Sequence, residues 1–259
     1  MSSSPDLPSK AVTSVDSWAE LKQWTPARIA QVRVGGSLAL REVLDFKLSH
    51  ARARDAVHQV FQIEDMRREL ETLPLNVLEL TSQAKDRFEY LQRPDRGRRL
   101  SAESSEKCVE QSQKEGAVDL VIILADGLSA TATHKQAIPV VRELLNLLSS
   151  WKCAPIVLIP LARVAVQDEV GELLRSRLAL ILLGERPGLG SPDSLGAYLV
   201  HGPKLGNTDA ERNCLSNIRQ GGMSPRTAAY QLFQLLTQAR ELGYSGVNLK
   251  AGDTVARLI

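Results

Sequence analysis

From Leu40 onward, apolar residues fall at Val43, Leu44, Phe46, Leu48, Ala51, Val57 and Val60. That spacing keeps them on one side of a 3.6-residue period and predicts a long amphipathic helix over about residues 40–61. A shorter helix is predicted just before it. Thr25-Pro26 offers a hydroxyl N-cap followed by a proline whose missing N–H costs nothing at the first helical position, and Gly35-Gly36-Ser37 ends it. Weaker helical patterns follow near residues 64–73 and 82–91, and Ser101 is a plausible cap for another through about residue 114. The first 110 residues read as helical and irregular, with no alternating strand.

The pattern then changes. Val-Asp-Leu-Val-Ile-Ile-Leu-Ala at 118–125 is a buried-strand run that stops at Asp126-Gly127. A helical stretch is predicted for about 129–148, a second strand for 156–161, a helical turn or two at 170–175 and a third strand at 178–183, closed by Gly184-Glu185-Arg186-Pro187-Gly188. A fourth, shorter strand is expected at 197–201, and Ser224-Pro225 caps a last helix to about Leu242, before Gly243. Continuous apolar strands alternating with helices imply a parallel sheet covered on both faces. The expected fold class is α/β: a Rossmann-like, mostly parallel sheet domain over 116–259, preceded by an α-helical region over 25–115 and a disordered or loosely ordered tail over 1–24.

Composition narrows the function by exclusion. The 259 residues carry 32 Lys and Arg against 30 Asp and Glu, a balance that gives no global argument for nucleic acid or an anionic membrane as partner, and neither is expected. No apolar run approaches the roughly 18 residues of a membrane span. Cys108, Cys153 and Cys214 stand far apart with no Cys-x-x-Cys pair, which disfavours a disulfide framework or a structural zinc. The first ten residues lack the basic start and apolar core of a signal peptide, so the default compartment is the cytoplasm.

In open parallel sheets, ligands bind beyond the carboxyl ends of the strands. Three such ends carry polar or glycine-rich segments: Asp126-Gly127-Leu128-Ser129, Arg163-Val164 and Gly184-Glu185-Arg186-Pro187-Gly188. Each reads equally as a capped turn or a ligand contact; three together favour a ligand site. The glycines at 184, 188 and 190 fit neither Gly-x-Gly-x-x-Gly nor a phosphate loop, and there is no Gly-x-Ser-x-Gly or His-Glu-x-x-His. His50, His58, His134 and His201 are isolated, and the Asp-x-His-x-x-Gly motif by which several corrinoid proteins ligate cobalt is absent. No metal ligand is therefore expected. Arg93-Pro94-Asp95-Arg96-Gly97-Arg98-Arg99 could grip phosphate, but without interleaved aromatics it reads better as a structural loop or partner contact. For Cys214, a buried inert thiol is the favoured reading of the residues alone.

Several segments resemble one known family. Thr25-Pro26-Ala27-Arg28-Ile29, Gly35-Gly36-Ser37-Leu38, the 50–57 stretch His-Ala-Arg-Ala-Arg-Asp-Ala-Val, the 90–100 stretch around the arginine loop, Ala125-Asp126-Gly127-Leu128-Ser129, Gly184-Glu185-Arg186-Pro187-Gly188-Leu189 and the 212–218 stretch Arg-Asn-Cys-Leu-Ser-Asn-Ile together resemble the small (light) subunit of ethanolamine ammonia-lyase, over about residues 25–249. The resemblance implies a subunit of a carbon–nitrogen lyase that uses adenosylcobalamin to convert ethanolamine to acetaldehyde and ammonia by radical chemistry, the cofactor carrying the chemistry. It implies a large TIM-barrel subunit as partner in a multi-copy hetero-oligomer, with that subunit holding the substrate and cobalamin lying between the two. The setting it implies is either the free cytoplasm or a bacterial microcompartment. The family's small-subunit cobalamin contacts fall on Val164, Glu185 and Cys214, with Glu185 expected to accept from corrin amides and Cys214 expected on a loop folding back over the same edge. The competing role for Glu185 is an ion pair with Arg186 or Arg163. Two other classes stay open: a non-catalytic assembly module for the large subunit, and a free-standing nucleotide-binding enzyme.

Overall fold

The computed structural model describes residues 13–14, 16–25 and 27–249; most of the expected tail, and Pro26 of the expected first helix start, lie outside the described residues. Residues 27–32 form no helix. Short strands instead make an antiparallel set: β1 (Thr13–Ser14) pairs with β2 (Arg33–Val34), and β2 with β3 (Ser37–Leu38). Val34 faces Ser37, so Gly35-Gly36 closes a two-residue hairpin rather than ending a helix. Gly35 has φ +59°, the left-handed backbone such a turn favours and a side chain opposes. The long helix forms as expected, as α1 (Leu40–His58).

Next come α2 (Ile63–Leu70), β4 (Val77–Glu79), α3 (Arg87–Gln92), α4 (Ala102–Glu115), β5 (Val118–Ala125) and α5 (Ala130–Leu147). They are followed by β6 (Ile156–Ile159), α6 (Val166–Leu173), β7 (Ser176–Gly184), β8 (Leu195–His201), β9 (Arg212–Ile218) and α7 (Pro225–Leu242). Six strands form one sheet in the order β4-β6-β5-β7-β8-β9. The first four run parallel; β8 adds antiparallel to β7, and β9 antiparallel to β8. The fold is thus α/β and mostly parallel, compatible with a Rossmann-like arrangement. Two strands of this six-stranded sheet, like the three of the small antiparallel set, were not expected from the sequence. β4 comes from the stretch that reads as helical and irregular, and β9 replaces the expected loop around Cys214.

Successive side chains of a strand point to opposite faces, and here both faces are dry. Leu120, Ile122 and Leu124 of β5, with Leu178, Leu180 and Leu182 of β7, pack under Val141 and Leu144 of α5 and Leu232 and Leu236 of α7. Val121 and Ile123, with Ala179 and Ile181, pack on the other side under Cys108 of α4 and Val166 and Val170 of α6. This is why the strands read as unbroken apolar runs. Each fully buried Leu or Ile is worth about 1.5–3 kcal/mol of transfer free energy, so the sheet is a rigid platform for its edges. The last helix starts where expected: Ser224 Oγ accepts from Thr227 N–H at 3.1 Å, with Pro225 at its first position. No helix among the described residues is long and apolar enough to cross a membrane.

Candidate functional site

β5 leads across to β6 on one side and β7 to β8 on the other, so their adjacent carboxyl ends form the switch point where a ligand crevice is expected. The chain fills that crevice itself. Leu128 N–H donates to Gly184 O at 2.9 Å. A Cβ on Gly127 would stand 2.3 Å from Gly184 O, and one on Gly184 would stand 2.0 Å from Ser129 O. Ser129 caps α5 and its hydroxyl donates to Pro192 O at 2.8 Å. Asp126 is 2% exposed: one carboxylate oxygen accepts from Leu161 N–H at 2.7 Å and the other from Arg87 Nη1 at 3.0 Å. Burial pushes this carboxyl up to about 6, against the pull of Arg87. The Asp126-Gly127 end is a closed structural joint.

At the second end, Arg163 is engaged within the chain. Its guanidinium lies 4.1 Å from the Tyr90 ring centroid, and its Nη2 donates to Tyr90 O at 3.1 Å. Val164 is half-buried against the α4 and α6 side of the sheet, where half-buried Tyr198 also packs. The arginines of the 93–99 loop are largely neutralised within the chain. Arg93 pairs with Asp95 at 2.7 Å, Arg96 with Glu89 at 2.7 Å and Arg99 with Glu169 at 3.0 Å.

The third end is built differently. Glu185 leaves β7 with its N–H on Ser194 O at 2.9 Å. Its carboxylate accepts from Ser194 Oγ at 2.5 Å and, at the 3.5 Å limit, from Asn217 N–H. Among the described residues no cation stands within ion-pair distance of it, so the expected alternative of a bond to Arg186 or Arg163 does not form. Beneath it is Gly196, where a Cβ would stand 3.1 Å from Glu185 Cγ, Glu185 Oε1 and Tyr198 Cε2. The glycine thus leaves room for both side chains.

Tyr198 lies opposite Cys214 in the β8–β9 register, so both face the same side of the sheet. Cys214 is exposed on the outermost strand; it is neither the inert buried thiol nor the loop residue expected from the sequence. The Tyr198 phenol and the Cys214 thiol are close enough to perturb each other's titration. Contact with the sheet raises the Cys214 thiol above its ordinary value, with Glu185 adding to the rise and Tyr198 opposing it. The same surroundings hold the Tyr198 phenol above its usual range, desolvation first.

The structure therefore sets Glu185 and Cys214 on either side of Tyr198, with Val164 on the same face toward α6. Gly196 and Tyr198 were not singled out from the sequence. Their only signal is the strand alternation that puts them on one face of β8, and it gains meaning once β9 is known to pair there.

A family model described as ethanolamine ammonia-lyase light chain matches residues 15–250. An ethanolamine ammonia-lyase small subunit of Pseudomonas fluorescens is 49% identical over 236 residues, covering 90% of this chain and 86% of its own. One from Pseudomonas putida is also 49% identical, covering 90% and 87%, and one from Azotobacter vinelandii is 48% identical over 244 residues, covering 93% and 90%. With matches of this identity spanning nearly all of the sheet and the helices around it, the chain belongs to the ethanolamine ammonia-lyase light-chain family.

Proposed function

We propose that this chain is the small subunit of an adenosylcobalamin-dependent ethanolamine ammonia-lyase and that its β7–β9 face forms one wall of the cofactor site, opposite a large subunit. The supporting observation is Glu185: a half-buried carboxylate with no cation partner among the described residues, at the rim of the space left by Gly196, with Tyr198 and Cys214 beside it. That donor set fits the group. A corrin is a wide disc fringed by amides, and what it needs from a wall is acceptors, a flat apolar approach and room at the rim. Glu185 would accept from amide N–H groups, and charged acceptors make the stronger hydrogen bonds. Val164 would give an apolar contact, and Cys214 with Tyr198 would meet the ring edge. When bound, adenosylcobalamin supplies the radical chemistry by which ethanolamine becomes acetaldehyde and ammonia. In this reading the chain contributes no catalytic group; its residues bind and orient, and the large subunit holds the substrate.

Omission tests this directly. A large subunit, this chain, adenosylcobalamin and ethanolamine are combined, acetaldehyde is followed, and each component is left out in turn. Activity requiring all four supports the proposal. Full turnover without this chain overturns it in favour of an assembly module. One feature favours an assembly role as well: α1 buries only Ser49 and Ala56, while Leu40, Leu44, Phe46 and Leu48 stay exposed. A helix with its apolar residues in solvent suits a subunit contact.

A further inference from the structure

Two neighbouring carboxylates on α6 reach in different directions. Glu169 holds the basic loop, accepting from Arg99 Nε at 3.0 Å and Leu100 N–H at 2.9 Å. Asp168 reaches β9, where its Oδ2 accepts from Arg212 Nη2; both side chains are only 3% exposed. The other terminal nitrogen of Arg212 donates to Asp209 Oδ1 at 2.8 Å, and Nη2 donates also to Asn207 O at 3.3 Å. Further along α6, Glu172 accepts from Leu205 N–H at 2.9 Å. Gly171 lets Pro203 sit where a Cβ would stand 2.4 Å from its ring. One side of α6 is thus fastened to the β8–β9 connection and the start of β9.

The sequence positions give this fastening its meaning. Asp168 lies in the first turn of α6, four residues after Val164 in the turn that leads into it, and Arg212 lies two residues before Cys214, on the same face of β9. We infer that Asp168 and Arg212 are a positioning pair that fixes the Val164 end of the face against the Cys214 end, and so sets the affinity for the amide-fringed cofactor. The inference rests on the cofactor-wall reading above. A buried ion pair adds little net stability compared with apolar residues of the same volume, so stability alone is a weak reason for one here. What it adds is direction. A planar guanidinium held by Asp209 on one nitrogen and Asp168 on the other is fixed in orientation, which packed methyl groups do not achieve.

The experiment uses the assembled complex with a large subunit and measures adenosylcobalamin affinity by equilibrium dialysis, thermal unfolding, and the alkylation rate of Cys214. Asp168→Asn and Arg212→Lys are each expected to weaken cofactor binding about tenfold while the complex still assembles, because the fork geometry is lost. The Cys214 alkylation rate should shift severalfold in the same variants. Asp209→Ala removes a partner on the solvent side and is expected to cost about two- to threefold in affinity without threatening the fold. A lowered unfolding temperature with wild-type affinity in the assembled complex would mean a brace only and overturns the inference. If Asp168→Asn fails to fold, Asp209→Ala decides, and wild-type affinity there overturns it too. Glu185→Gln separates the two levels. Should it weaken binding while Asp168→Asn and Asp209→Ala do not, positioning alone fails. Should it leave binding unchanged, the cofactor-wall reading fails and this inference with it.

Discussion

The carboxyl ends of β5 and β7 are neighbours, and each pairs a glycine with an acid: Asp126-Gly127 on one, Gly184-Glu185 on the other. They have opposite fates. Asp126 is buried, carries an arginine and a backbone N–H, and sits under a joint so tight that two glycines admit no Cβ. Glu185, one residue past the same joint, is half-buried, held by a serine hydroxyl, and free of any cation among the described residues. An acid at a strand end is therefore not a site by position. What separates the two is whether the chain has already supplied the counter-charge and filled the space.

Breaking the closed joint should have the largest effect. Gly184→Ala drives a methyl into the backbone of Ser129, and overpacking a central strand end costs about 3 kcal/mol or more. The expected result is loss of soluble folded chain, or a urea midpoint lowered to match; a variant as stable as wild type would mean that the joint is loose. Gly196→Ala is its counterpart at the open end, where the methyl meets a movable Glu185 side chain. There the fold should survive and cobalamin affinity of the complex should fall only about threefold.

Asp126 gives the closed joint a pH signature. Its folded value of about 6 lies above the ordinary carboxylate value, so between about pH 4 and 6 the folded chain binds more protons than the unfolded one at this group. Its contribution to stability is present below that window and is lost as the pH rises through it. In Asp126→Asn this term is gone, so stability should climb with pH more steeply than in wild type, by up to about 1.4 kcal/mol per pH unit. Urea unfolding at pH 4.5, 5.5 and 6.5 reads the difference, and parallel curves would contradict it. The smallest effect is expected for Cys214→Ser, which keeps a polar group beside Tyr198: about a twofold loss of cobalamin affinity with unchanged stability.

Much of the frame was legible because single segments carry it. β5, α5, β7 and α7 announce themselves by apolar runs, and Ser129 and Ser224 act as the helix caps their positions suggest. What was not legible depends on partners. β4 is three residues long, and its identity as a strand lies in its pairing with β6. β9 alternates Asn, Cys, Leu and Ser without a dry face, and only β8 makes it a strand. Gly35-Gly36 suits the end of a helix as well as a hairpin turn until the strands on either side pair. At the site, Val164, Glu185 and Cys214 came from a family resemblance. Gly196, Tyr198 and Arg212 required the cross-strand register, which no local pattern encodes.

We propose that the open end, and Glu185 first, walls a cobalamin site. The direct test is adenosylcobalamin affinity measured on the large subunit alone, on its complex with this chain, and on the complex carrying Glu185→Gln. Tight binding is expected only in the wild-type complex, with about a tenfold loss in the variant at unchanged assembly. Equal affinity for the large subunit with and without this chain would contradict it.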